Sequence, residues 1–292
     1  MMFGAGLGYQ MAASVRAGAR FAPRYFRRMT ALMVLGLLHF VFFWIGDILF
    51  TYGLLGCLLY ALRGASVRLL VRTGIALIAL NTALLVGLAG MMWLAERYAP
   101  ENLAGYARME ASAIAAFADG SFADAVLYRL SLAPTLVPSV VAQQGLSVFG
   151  FSCFGLAMVK SGVIDQPEAA VWRLSRRVLL PVGLAGSGIG SAILIQAASS
   201  VDSAFILGSA VILGFAGFAA MGYAGLIALV CRGGGGPVRN FIALAGSASL
   251  TAYLLQSVLF SLLFADYGAD LFGKLGAASA IDCPRICAPR PS

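Results

Sequence analysis

His39 and Asp47 stand eight residues apart in a run, residues 29–62, where Asp47 is the one formal charge and His39 the only histidine of the chain. A neutral imidazole can take a proton from a hydroxyl or serve as an acceptor in a buried network. Ionisable groups inside an apolar run are functional candidates by default. Each also has a plainer role. His39 could tie two helices by a hydrogen bond, and Asp47 could cap the apolar helix that begins Ile48-Leu49-Phe50. Trp44 lies between them and could shape a site.

Two other groups of side chains could bind. Tyr253, Gln256 and Ser257, in the segment TAYLLQS, fall at i, i+3 and i+4 and share a helix face. That face would line a polar cavity or make interhelical bonds; Gln143 and Gln144 have the same two readings. Arg16, Arg20, Arg24 and Arg28 recur every four residues, with Arg27 beside them. On one helix they would form a basic stripe, bent at Pro23. Such a stripe could hold the phosphates of a nucleotide-linked donor. It could also simply attract anionic lipid heads, at about 1 kcal/mol per basic residue.

Other chemistries find no support. Of five cysteines, Cys57, Cys153 and Cys231 lie in apolar segments, and Cys283 and Cys287 are spaced CPRIC, wrong for a redox or zinc pair. With one histidine besides, no metal site is expected. The clusters GAGLG, GSGIG and GGGG do not follow a strand and lack GK[ST], so no nucleotide fingerprint is present. There is no GxSxG and no HExxH.

The elements that position these residues are membrane helices. The chain of 292 residues is 61% hydrophobic and 11% charged, against about 25% charged for a soluble protein. Its mean hydropathy is +0.91. The fold class is all-α, a polytopic transmembrane helix bundle, in one membrane-embedded domain over residues 1–280. The net charge of +8 does not imply nucleic acid, because 14 of the 20 basic residues fall in segments that the hydropathy pattern puts on one side, and nine of the 12 acids fall on the other. That is the positive-inside asymmetry; the partner is the lipid bilayer, with the Arg-rich loops cytoplasmic.

As one helix the 29–62 run would be about 51 Å long, well beyond the ~30 Å of a bilayer core. Arginines at both of its ends make it a hairpin, turning at Gly46-Asp47. Seven crossings are expected, near 29–45, 47–62, 73–94, 141–159, 178–198, 204–230 and 241–264. The first two are short and tilt little, borrow flanking residues, or stop short of the far interface. Residues 95–128 read as an outer loop. Pro134 and Pro138 predict an interfacial or re-entrant piece before the crossing at 141–159. Gly183, Gly186, Ser187 and Gly190 are small-xxx-small pairs that let helices approach closely. The tail 281–292, with three prolines in CPRICAPRPS, reads as disordered or aberrant.

The run RRMTALMVLGLLHFVFFWIGDILFTYGLLG, residues 27–56, resembles the YeiB-like family of uncharacterised bacterial membrane proteins. Arg27, Arg28, Gly36, His39, Trp44, Gly46, Asp47, Ile48, Leu49, Tyr52 and Gly56 carry the likeness. Weaker echoes follow in order: FGAGLG at the start, FGLAMVKSGVI at 154–164 and SLTAYLLQSVLF at 249–260. The resemblance implies a bacterial inner-membrane location and a distant likeness to multi-pass acyltransferases acting on extracytoplasmic sugars. Of the site residues it carries over His39 alone, as a base; in the acyl-transfer reading Asp47 and Trp44 would shape the site, and Arg16, Arg20, Arg24, Arg27 and Arg28 would hold an acyl-CoA-like donor. Tyr253 and Gln256 would help bind a small or glycan acceptor. A transporter for a small solute and a non-catalytic membrane scaffold are the alternatives. Members also carry an Asp-x-Leu-Arg-Gly-like element before this region and a Gly-Pro-x-Glu-Trp-like element after it, and have Gly-Arg where this chain has Gly246-Ser247. The expectation is therefore a chain with both ends of the family pattern missing.

Overall fold

The structure, a computed structural model, describes residues 1–103, 105, 112–113, 115–117, 120–197, 202–232 and 236–271. Its helices are α1 (Met2–Arg16), α2 (Phe21–Phe42), α3 (Leu49–Ala61), α4 (Val67–Tyr98), α5 (Phe122–Lys160), α6 (Ala170–Leu194), α7 (Ser203–Cys231), α8 (Pro237–Ser247) and α9 (Ser249–Phe264). Among the described residues there is no strand. Five helices, α2 and α4 to α7, are long and apolar enough to cross a membrane, and α3 and α9 are shorter apolar helices. These seven occupy the positions that hydropathy marks out. Large apolar side chains such as Ile75, Leu84, Ile189 and Leu255 point outward, as lipid contact permits and water would not. The molecule is a helical membrane bundle.

One end of the bundle gathers the arginine-bearing turns. Lys160, at the end of α5, donates to the carbonyls of Arg63 and Ala65 between α3 and α4. Arg232, closing α7, donates to the Pro167 carbonyl and pairs with Glu168 at 3.2 Å. The Trp172 indole N–H reaches the Val163 and Gln166 carbonyls and folds the turn before α6. At the opposite end Glu96 of α4 accepts the Ser203 N–H and hydroxyl, both at 2.6 Å, and so holds the start of α7. Ser121 and Asp124 form a reciprocal capping box at the start of α5.

Packing follows the small residues. A Cβ on Gly186 would lie 2.1 Å from the Phe215 ring, and one on Gly183 would lie 2.3 Å from Ala219 N. Gly190 and Gly208 face each other backbone to backbone, so α6 and α7 touch along the stripe the sequence marked. The main core, with Leu7, Tyr25, Met29, Leu59, Leu70 and Leu156, joins α1 to α5. There the Tyr25 hydroxyl donates to the Gly56 carbonyl at 2.8 Å and clamps α2 to α3.

Four expectations need correction. Pro134 and Pro138 do not interrupt anything; both lie inside the 39-residue α5. A proline is tolerated inside a membrane helix because neighbouring helices and hydroxyl groups can make up for its missing N–H. The stretch between the helices is shorter than the expected loop at 95–128, because α4 runs on to Tyr98 and α5 begins at Phe122. The last crossing is broken at Ala248 into α8 and α9. The basic stripe is also broken: α1 ends at Arg16, Gly18 takes φ +58°, and α2 starts after Arg20, with Pro23 in its first turn. Glycine in the left-handed region ends a helix, so periodicity cannot be carried across it. The tail 281–292 lies outside the described residues.

Candidate functional site

The end of α2 and the turn behind it build the site. His39 lies in the last turn of α2, and its carbonyl accepts the N–H groups of both Phe43 and Trp44 at 2.9 Å. The chain then doubles back through residues 43–48 into α3. Gly46 serves this turn by its size: a Cβ there would lie 2.8 Å from the Trp44 indole nitrogen. Gly36 does the same on α2, where a Cβ would meet Phe50 N at 2.3 Å and the Asp47 carboxylate at 2.7 Å. Its lack of a side chain lets the start of α3, and Asp47 with it, press against α2.

In that contact the His39 Nδ1 lies 2.8 Å from Asp47 Oδ2, with both side chains 2% exposed. The other carboxylate oxygen accepts the Phe50 N–H at 3.1 Å, so Asp47 also caps the start of α3 as the sequence suggested. The Tyr253 hydroxyl of α9 donates to Asp47 Oδ2 at 3.5 Å, and its ring centroid is 5.1 Å from that of His39. A carboxylate that accepts from Nδ1 places the imidazole proton there. A neutral ring then presents Nε2 as an unprotonated acceptor. Nε2 is buried and has no partner among the described residues.

The pair sits at membrane depth. From Arg28 to His39 is about 16 Å along α2, more than half of a ~30 Å hydrocarbon core. On one side of Asp47 the cleft against Val137 and Val140 has a volume of about 10 Å³, too little for more than a single water. The open space is beside the turn. There Phe43, Trp44, Arg129, Phe260, Phe264 and Tyr267 are among the residues around a cavity of about 460 Å³. Phe43 belongs to both places, lining the cavity with its ring centroid 6.4 Å from the imidazole.

His39, Asp47 and Tyr253 are thus brought together, and Trp44, 44% exposed, forms part of the neighbouring cavity wall. Gln256 is exposed, whereas Tyr253 is half-buried and Ser257 buried. Arg16, Arg20, Arg24, Arg27 and Arg28 are all exposed at the start of α2 or before it, at the opposite end of that helix from His39. Sequence reasoning missed Arg129 and Ser261. Arg129 is 3% exposed and donates to the Val41 and Phe42 carbonyls at 3.4 and 3.2 Å; Ser261 donates to the Phe43 carbonyl at 3.0 Å. Together they fix the end of α2 and its turn to α5 and α9. A lone arginine in the apolar sequence of α5 was the available signal.

Comparison with known proteins places the chain in a family. A family model described as protein of unknown function (DUF418) matches residues 158–283. The protein YxaH of Bacillus subtilis, described as uncharacterized, is 26% identical over 292 residues, covering 96% of this chain and 68% of its own length. YeiB of Escherichia coli, also described as uncharacterized, is 31% identical over 283 residues, covering 92% of this chain and 68% of its own length. The chain belongs to the YeiB-like family. No solved structure gives a significant match. Within this YeiB-like chain the DUF418 match takes in α6 to α9 and so supplies Tyr253, while His39 and Asp47 come from the hairpin that precedes it.

Proposed function

We propose that this protein transfers an acyl group to a hydroxyl of a small or glycan acceptor, with His39 as general base. The observation that carries the reading is the polarity of the imidazole: Nδ1 is held by Asp47, and Nε2 is buried without a partner among the described residues. In the step envisaged, Nε2 takes the proton of the acceptor hydroxyl as its oxygen bonds to the acyl carbonyl carbon. The carbon–sulfur bond of a thioester donor then breaks, and the proton passes to the departing thiolate. Base catalysis of this type contributes about 10²–10⁴-fold in rate. Asp47 orients the ring and stabilises its protonated form, and Tyr253 and the Phe50 N–H hold Asp47. The cavity beside Trp44 would receive the acceptor, and the exposed arginines at the start of α2 would hold the donor head. The Arg-rich end would face the cytoplasm of a bacterial inner membrane.

A transporter draws on the same pair, since a buried His–Asp couple can carry a proton through a membrane. The two readings separate in one experiment. Membranes holding the protein are given an acyl thioester labelled in the acyl group. Covalent label in an extractable acceptor, absent from control membranes, supports transfer. Movement of a solute without chemical change, and no covalent label, would replace it with transport.

A further inference from the structure

Arg129 is a buried cation, and among the described residues no carboxylate forms an ion pair with it. Its guanidinium lies level with the end of α2, where one terminal nitrogen donates to the two last carbonyls of that helix. The Phe117 ring lies 4.9 Å from the guanidinium carbon, and Tyr267 lines the same cavity. These contacts explain why the arginine is tolerated, because a helix C-terminus carries partial negative charge. They leave the fork incomplete. Nε is buried and has no partner among the described residues, and a guanidinium presents five donors. A guanidinium with donors unmet is costly to bury, and an oxyanion beside it would offset that cost.

The space beside it suits such an ion only if it has an apolar body. Arg129 lines the cavity of about 460 Å³, whose other walls are mainly aromatic: Phe43, Trp44, Phe260 and Phe264. Asp266 and Asp270 follow α9 closely in sequence but do not line it. At roughly 30 Å³ for each small group in a condensed phase, this volume holds about fifteen non-hydrogen atoms. That is the size of one medium-length chain with its head, well short of a whole phospholipid.

We propose that this cavity binds an amphiphile with an oxyanion head and a single aliphatic chain of roughly ten carbons, the head on Arg129 and the chain on the aromatic wall. A fatty carboxylate and an alkyl phosphate share this chemistry. The cavity is the one that the acyl-transfer reading gives to the acceptor, but binding requires no reaction at His39, so an equilibrium binding measurement tests the site apart from that reading.

The test is equilibrium binding of radiolabelled decanoate to the whole protein in phosphatidylcholine nanodiscs, with unlabelled competitors. Saturable binding is expected, displaced by decanoate or decyl phosphate and at least tenfold less well by decanol, which has the chain without the charge. The better displacer of the two anions identifies the head group. Arg129→Gln should weaken binding at least tenfold and Arg129→Lys less. Because Arg129 also holds the end of α2, Phe264→Trp is the second variant: its three added atoms take up part of the cavity without touching those bonds, and binding should fall at unchanged thermal stability. Equal displacement by decanol, unchanged binding in folded Phe264→Trp, or no saturable binding of either anion would overturn the proposal.

Discussion

His39 Nδ1 and Asp47 Oδ2 lie 2.8 Å apart across a turn that returns the chain on itself, and both side chains are almost wholly buried. The carboxylate therefore serves two structures. It accepts the first-turn N–H of α3 through one oxygen and fixes the imidazole of α2 through the other. Asp47→Asn separates these roles. The amide oxygen can still accept one N–H, but an amide N–H facing Nδ1 would favour the opposite tautomer and put the proton on Nε2. Activity should fall about 10²–10⁴-fold, while the α3 cap survives. Near-normal turnover in the asparagine variant would show that tautomer control is not used.

Gly36→Ala tests the close approach that makes the pair possible. The new Cβ would meet Phe50 N at 2.3 Å and Asp47 at 2.7 Å, and neither the backbone nor a doubly bonded carboxylate can yield freely. Overpacking of this kind costs about 1–3 kcal/mol. Thermal unfolding in detergent should register that loss, and an unchanged midpoint would mean that α2 and α3 separate without penalty.

Two glycines of α6, two residues apart, give a contrast on one helix. Gly186 faces the Phe215 ring at 2.1 Å from a Cβ position, whereas Gly188 has nothing within 4 Å. Gly186→Ala should destabilise by about 1–3 kcal/mol, and Gly188→Ala should be neutral or stabilise by up to about 1 kcal/mol through helix propensity. Unfolding curves of the two variants side by side decide it; equal effects would mean that α6 and α7 do not pack through this stripe.

Sidedness follows from where the basic residues gather. Residues 63–72 and 160–177, joined by Lys160, should face the cytoplasm, and the segment between α4 and α5 should face outward. Single cysteines placed in these loops and treated with an impermeant thiol reagent on intact cells will report it. Labelling from outside at position 68 would contradict it.

The hairpin and its polar pair were legible because a charge and a histidine in an apolar run stand out, and because arginines at both ends force a return. The α6–α7 contact was legible because small residues at helical spacing have few other uses. Other features depend on context that local pattern does not hold. Pro134 and Pro138 break helices in water but sit within α5 here. The arginine periodicity carried no information past Gly18, where α1 stops. Tyr253 and Gln256 share a spacing, yet only the first faces Asp47, since interhelical contacts select the face. Arg129 escaped notice because it falls where the expected loop ended and the apolar run began. Its partners lie 87 and 88 residues away in the chain, beyond any local pattern.

The most direct measurement is acyl transfer by His39→Gln in membranes, beside wild type, with the labelled thioester. Glutamine keeps a similar volume and an N–H that can reach Asp47, but it cannot take up a proton near neutral pH. The account predicts that covalent transfer falls by about 10²–10⁴-fold, while the variant inserts and loses only about 1 kcal/mol of stability. Transfer at the wild-type rate by a folded glutamine variant would contradict a base at His39. The pair would then be a tether between α2 and α3.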